Sequence, residues 1–264
     1  MSAERWYRLL LRAYPAGHRD ELLGTLLETG ADRRTSSARE SAALVRGAFS
    51  ARARRRADLP VRWWADGLHL AALALAVAAF GAVTPELPDW PLRPAVFALL
   101  VVTVLYGRFR VAAPIAVFAA VQNGVGVFPW MRVQSTDVRF GASLWLLAGV
   151  LLVLAVRRRA CPRSRWWFVV PAAMLVDSLF LTVGPGELTA FLELGLMATG
   201  LCATVAARDL RWLLASAVHL LPAVLGYLHD PHRPVSPQDV VYHAALAGLL
   251  LATAVAARHA RRRV

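Results

Sequence analysis

Ser164-Arg165-Trp166-Trp167-Phe168-Val169-Val170 repeats a triplet met earlier in the chain. Arg62-Trp63-Trp64 stands 103 positions before Arg165-Trp166-Trp167, and each copy is followed by a long apolar run. An arginine followed by tryptophans is an interfacial anchor: indole rings lie at head-group depth while the guanidinium faces phosphate. The two triplets therefore mark places where the chain is expected to enter a bilayer, and the runs behind them are expected to cross it.

Working outward from these anchors, the rest of the chain reads the same way. Of 264 residues, 58% are hydrophobic, and beyond residue 60 apolar blocks alternate with short polar breaks. A spanning helix needs about 20 mostly apolar residues, with roughly 17 tolerable. Eight windows qualify: 63–83, 90–106, 111–128, 138–156, 166–183, 188–207, 212–228 and 240–257. The second is short and preceded by Pro85, Pro88, Pro91 and Pro94. The expected fold class is all-α: a polytopic membrane protein of eight transmembrane helices.

Arginine sets the expected orientation. All thirty basic residues are arginine, so a phosphate loop or a Schiff base that depends on lysine is excluded. Thirteen arginines lie at or before Arg62. Thirteen more fall in every second break and the tail: Arg108, Arg110, Arg157, Arg158, Arg159, Arg163, Arg165, Arg208, Arg211, Arg258, Arg261, Arg262 and Arg263. Only Arg93, Arg132, Arg139 and Arg233 fall on the other side. Positive charge stays cytosolic, which predicts a multi-pass protein of a bacterial plasma membrane with both termini in the cytosol. The formal charge of +13 is then accounted for by anionic lipid head groups, without nucleic acid.

Further echoes accompany the triplet. Val83-Thr84-Pro85-Glu86-Leu87 resembles Val183-Gly184-Pro185-Gly186-Glu187-Leu188, and the segment from Arg132 to Asp137 resembles that from Arg233 to Asp239. The run from Leu146 to Val156 resembles that from Ala245 to Val255. The offsets are 103, 100–101, 101–102 and 99. Four matches in order predict two tandem four-helix units, 61–160 and 161–264. Four crossings return the chain to its starting side, so the units are expected to be parallel repeats about an axis along the membrane normal.

Residues 1–60 are expected to form a three-helix cytosolic head. The first helix covers about 3–13 behind Ser2. The second is placed from Pro15, with Asp20 and Glu21 at its positive end and Gly30 at its close. The third opens with the capping box Ser37-Ala38-Arg39-Glu40. Apolar stripes are read at Trp6, Leu10 and Tyr14; at Leu22, Leu23, Leu26 and Leu27; and at Leu44, Val45, Ala48 and Phe49. The stretch Leu10-Leu-Arg-Ala-Tyr-Pro-Ala-Gly-His-Arg-Asp-Glu21 resembles the leader of bacterial permease-prefix segments. Head and body together are similar to uncharacterised actinobacterial integral membrane proteins, often encoded beside PadR-type regulators. The motif covers about a tenth of the chain. The chain departs from permease-prefix proteins in having no room for their large extracytoplasmic domain, so the resemblance implies a membrane protein with a small helical head and carries no permease activity.

Ionisable groups within the spans are the functional candidates, because lipid makes them costly. Asp177 and Glu193 flank the tight turn Gly184-Pro185-Gly186-Glu187 and are expected about 10–12 Å down adjacent antiparallel helices, at one depth where two carboxylates share a proton or cation. Gln122 and Asn123 join them in the outer half, and His219 lies near mid-depth. The competing readings are interhelical hydrogen bonds for the amides and a satisfied core histidine. His229 and His232, with Asp239 and His243 nearby, are weak metal candidates of generic spacing; no metal or cofactor is expected. Cys161 and Cys202 give no disulfide framework. No catalytic motif is present, so an enzyme is not expected. The expected function is a regulatory or scaffold membrane protein whose head meets a cytosolic partner. The alternative is a small carrier using Asp177, Glu193, Gln122 and Asn123.

Overall fold

The computed structural model describes residues 3–12, 14, 17, 19–30, 41–48, 51, 62–86, 91–125, 138–157, 168–180, 187–207, 210–229 and 237–261. Among them there are helices and tight turns and no strand.

Ahead of residue 60 the described helices are α1 (Ala3–Leu11), α2 (Arg19–Gly30) and α3 (residues 41–48). The second begins four residues later than Pro15 suggests. The chain instead makes a turn in which Tyr14 N–H bonds to the Leu11 carbonyl at 2.9 Å. Arg19 ties that turn down, its Nε donating to the Tyr14 carbonyl at 2.9 Å and its Nη2 to that of Arg12 at 3.2 Å. The α1 stripe is also displaced. Tyr7 and Leu11 are its buried residues, while Trp6 and Leu10 are half-buried, and α1 packs on α2. Trp6 Nε1 donates to Ser41 Oγ at 3.2 Å, and the Tyr14 hydroxyl lies directly over Gly47, where a Cβ would collide with it. Val45 and Leu27 are exposed. The expected capping box at 37–40 and Phe49 lie outside the described residues.

Eight more helices follow among the described residues: α4 (Trp63–Val83), α5 (Leu92–Leu105), α6 (Phe109–Val125), α7 (Val138–Arg157), α8 (Val169–Phe180), α9 (Glu187–Ala207), α10 (Arg211–His229) and α11 (Pro237–Arg261). They fall where the apolar windows lie. Two of them, α4 and the 240–258 portion of α11, are long and apolar enough by themselves to cross a membrane. The α5 helix has 14 residues, so at 1.5 Å per residue it is only about 21 Å long. Its ends are chemically defined. Pro91 stands at its N-cap. At the other end Gly107 takes φ 69°, while Arg108 N–H bonds to Thr103 O at 2.8 Å and Gly107 N–H to Val104 O at 2.9 Å. This is a Schellman close, which needs a residue without a Cβ at the left-handed position.

The core is centred on α4. Apolar all round its circumference, that helix cannot present a face to water and is wrapped by neighbours. Sixteen of its 21 residues are buried, and α5, α7 and α10 are its main partners, with α8 also in contact. The largest apolar cluster draws on α4, α5, α6 and α7 and reaches Met174 of α8. A second, smaller cluster joins Leu70 and Ala71 of α4 to Ala215 of α10. The principal pairings differ between the two quartets of helices. In the first, α4 packs on α7 and α6 on α7; in the second, the leading pair is α9 with α11. Across the quartets, α10 lies against both α4 and α7.

Candidate functional site at the start of the central helix

The polar groups that the fold gathers most closely lie where α4 and α10 begin. Asp66 sits in the first turn of α4, its backbone N–H bonded to the Arg62 carbonyl at 3.2 Å. An acid there is favoured by the positive helix end. Arg211 is the first residue of α10, where the same field disfavours a cation. The carboxylate of Asp66 resolves that conflict: Arg211 Nη1 donates to its Oδ2 at 3.3 Å, and the two side chains are 7% and 2% exposed. Expected as a cytosolic loop residue facing head groups, Arg211 is instead buried inside the bundle. Arg93, counted on the outer side within the second apolar window, is likewise buried, in the first turn of α5.

Small residues make this approach possible. A methyl at Gly67 would lie 2.9 Å from the Arg211 carbonyl oxygen and 3.0 Å from Leu214 Cδ2. With Ala71 and Ala74 also buried, α4 presents a small-xxx-small face against which α10 packs in parallel. One turn further on, His69 Nε2 meets the Val104 carbonyl at 2.7 Å, in full burial. A carbonyl only accepts, so Nε2 carries the proton. Phe109 stands edge-on to the imidazole, with ring centroids 4.9 Å apart. Asp66 thus joins α4 to α10, and His69 joins α4 to the α5–α6 corner.

One turn beyond the ion pair, α4, α9 and α10 line a small, partly open pocket of about 10 Å³, with Leu70, Ala74, Met197, Trp212, Ser216 and His219 among its walls. That is space for about one water molecule. Trp212 borders it while resting on Gly200 of α9, where a Cβ would meet its ring at 3.0 Å. Of the residues singled out from sequence, His219 is brought here. Gln122 is buried at the opposite end of the bundle. Asn123 is half-buried beside α7, its Nδ2 3.3 Å from where a Cβ on Gly141 would stand. Asp177 and Glu193 fall on α8 and α9, which pack together, but their side chains lie outside the described residues. So do Arg165, Trp166, Trp167 and His232, and the side chain of His229. Arg62 and Trp63 are exposed and Trp64 packs half-buried against the core. Among the described residues no group of three or more His, Cys, Asp or Glu is placed to hold a metal ion, and Cys202 is exposed.

Asp66, His69 and Ser216 are absent from the sequence-derived candidates. A signal for the first two was present: at i and i+3 they share one face of an otherwise apolar helix. Arg211 carried a signal too, a cation at the wrong end of a helix. Compared with protein families, with curated proteins and with solved structures, the chain shows no match.

Proposed function

We propose that this chain is a multi-pass integral membrane protein with eight crossings, both termini cytosolic, acting as a regulatory or scaffold protein whose helical head meets a cytosolic partner. The observation that carries the membrane reading is the distribution of polarity. Leu99, Phe118, Trp145, Leu152, Val176, Phe191, Leu225 and Leu251 are exposed on helix flanks, while Asp66, Arg211 and His69 are buried within. Large apolar side chains exposed along so many helices are what lipid accepts and water disfavours.

In this reading the end of the bundle holding Asp66 and Arg211 faces the cytosol, where exposed Arg62, Arg108 and Arg110 meet anionic head groups. The quartets share the direction of their helices and differ in how they close. A scaffold is preferred over a carrier because the seam between α4 and α10 is tight and ionically fixed, with room beside it for about one water.

The test is cysteine labelling of intact cells and of inverted vesicles, on a chain lacking Cys161 and Cys202. Cysteines at positions 110 and 210 are expected to label from the cytosolic face, and those at 88 and 232 from the outside. Labelling at 232 from the cytosolic face overturns the eight-crossing topology. Within that topology, loss of a defined cytosolic partner on deleting residues 1–58, with Asp177→Asn and Glu193→Gln silent, supports the scaffold. Loss of solute flux in the double variant overturns it in favour of the carrier.

A further inference from the structure

We propose that the outer face of α6 is a seat for one anionic phospholipid, whose head group meets Arg108 and Arg110 and whose acyl chains lie along the apolar stripe beyond them. The proposal deepens the membrane reading above and rests on it. Residue order at the α5–α6 corner sets the charges in place. Arg108 and Arg110 are exposed, while Phe109 between them is 4% exposed and stands edge-on to His69. His69 in turn meets the Val104 carbonyl, and Gly107 closes α5. The Arg108 carbonyl accepts the N–H groups of Val111 and Ala112, each at 3.0 Å. The backbone that carries both guanidinium groups is therefore fixed from either side, which lowers the ordering cost of binding. Among the described residues neither arginine forms an ion pair.

Beyond the arginines, Val111, Pro114, Phe118 and Val121 are exposed. Their spacing of i, i+3, i+7 and i+10 is one face of a helix. Ala112, Ala113, Ala116 and Ala120 are buried on the other side, and α6 packs on α7 and α5. At 1.5 Å per residue, Arg110 to Val121 is about 16 Å, close to half of the roughly 30 Å hydrocarbon core. Charge at one end and one leaflet's depth of apolar surface behind it match the layout of a phospholipid. Tyr106, exposed and with its ring centroid 6.3 Å from that of Phe168, marks head-group depth. The combination is missing elsewhere at this end of the bundle. Arg62 is exposed, but the helix it precedes is mostly buried and offers no stripe for chains. Arg211 is turned inward to Asp66. Two guanidinium groups on one corner select a head group of net negative charge; a zwitterionic one offsets its phosphate with an ammonium.

The test uses the full chain in vesicles. With Cys161 and Cys202 replaced by alanine, Phe118→Cys carries a fluorescent label. Quenching by brominated phosphatidylglycerol is compared with quenching by brominated phosphatidylcholine, each at the same low fraction in unbrominated phosphatidylcholine. The anionic lipid is expected to be enriched at the label at least about threefold over the zwitterionic one. Arg108→Gln with Arg110→Gln is expected to remove the enrichment, and Arg108→Lys with Arg110→Lys to keep it. Arg62→Gln with Arg258→Gln, which takes as much exposed charge from the same end, is expected to leave it unchanged. Soluble glycerol phosphate is expected not to compete, because it has no chains for the stripe. Equal quenching by the two lipids overturns the seat and leaves the membrane reading standing. So does an equal loss in the Arg62 and Arg258 variant, which assigns the effect to surface charge at large, and so does competition by glycerol phosphate. A label quenched by neither lipid overturns the seat and the eight-crossing reading together.

Discussion

Asp66 is the fourth residue of a helix that otherwise buries little besides Ala, Leu, Val and Phe, and its charge is met by Arg211 and by the positive end of its own helix. A buried pair of this kind adds little relative to an apolar pair of equal volume, but removing one partner leaves an uncompensated charge at a cost of about 3–5 kcal/mol. Asp66→Ala is therefore expected to lower the thermal midpoint in detergent sharply, and Asp66→Ala with Arg211→Leu to recover much of the loss. Size-exclusion profiles after a temperature ramp measure both. In the head, burial raises the pKa of Tyr14 above its ordinary 10.0. The neutral phenol is the form that the folded head accepts over Gly47. Its contribution is fully present below the unfolded pKa and is lost as pH rises through the folded one, so head stability is expected to fall above pH 10. Tyr14→Phe removes that step. Phenolate absorbance followed beside helix content checks it. Tyr14 was legible as a member of the first apolar stripe, whereas Asp66 was not conspicuous, because its partner is 145 residues away.

At the level of elements, the helices were legible because hydrophobic length and punctuation agree. Windows read as 138–156, 188–207 and 212–228 correspond to α7, α9 and α10 within one residue at each end. Where boundaries moved, a local contact moved them: Arg19 holds the Tyr14 turn open and delays α2, and the Schellman close at Gly107 stops α5. The pairing of α4 with α10 was not legible, because Ala- and Leu-rich helices offer similar surfaces to every neighbour. What selects the pair is the absence of a side chain at Gly67. Gly67→Ala puts a methyl against backbone, which cannot swing aside, and is expected to destabilise the bundle by about 1–3 kcal/mol while leaving helix content unchanged. Thermal melts followed by circular dichroism separate the two quantities. Ala74→Gly at the cavity wall is a control that leaves the seam distance unaltered.

At the scale of the whole molecule, large apolar side chains lie exposed along the flanks of most of the described helices after residue 60, while Asp66, Arg93 and Arg211 are buried. Leu251 is 67% exposed on α11, the helix of spanning length that is least enclosed. If lipid surrounds it, Leu251→Arg costs about 2.5–3.5 kcal/mol and is expected to cut the amount of assembled protein in membranes. If water surrounds it, the change stays within about 0.5 kcal/mol and assembly is unaffected. Quantifying the folded, membrane-extracted fraction decides between them. The quartets teach a separate lesson. Sequence echoes at offsets near 100 predict like order and direction, yet α4 takes neighbours that α8 does not. Duplication repeats local patterns, whereas packing depends on shape at each contact, and shape diverges with single residues such as Gly67.

The amino-acid sequence by itself determined an all-helical chain, the position of its apolar segments and the way they end, because these depend on interactions within a few turns: periodicity, proline, glycine and charge near helix termini. The tertiary structure alone decided that α4 is the hub, that Arg211 turns inward to Asp66 and that His69 reaches Val104. Each of those outcomes depends on two segments far apart in sequence coming close enough to exclude solvent, and the energy of a buried charge is set by what then surrounds it.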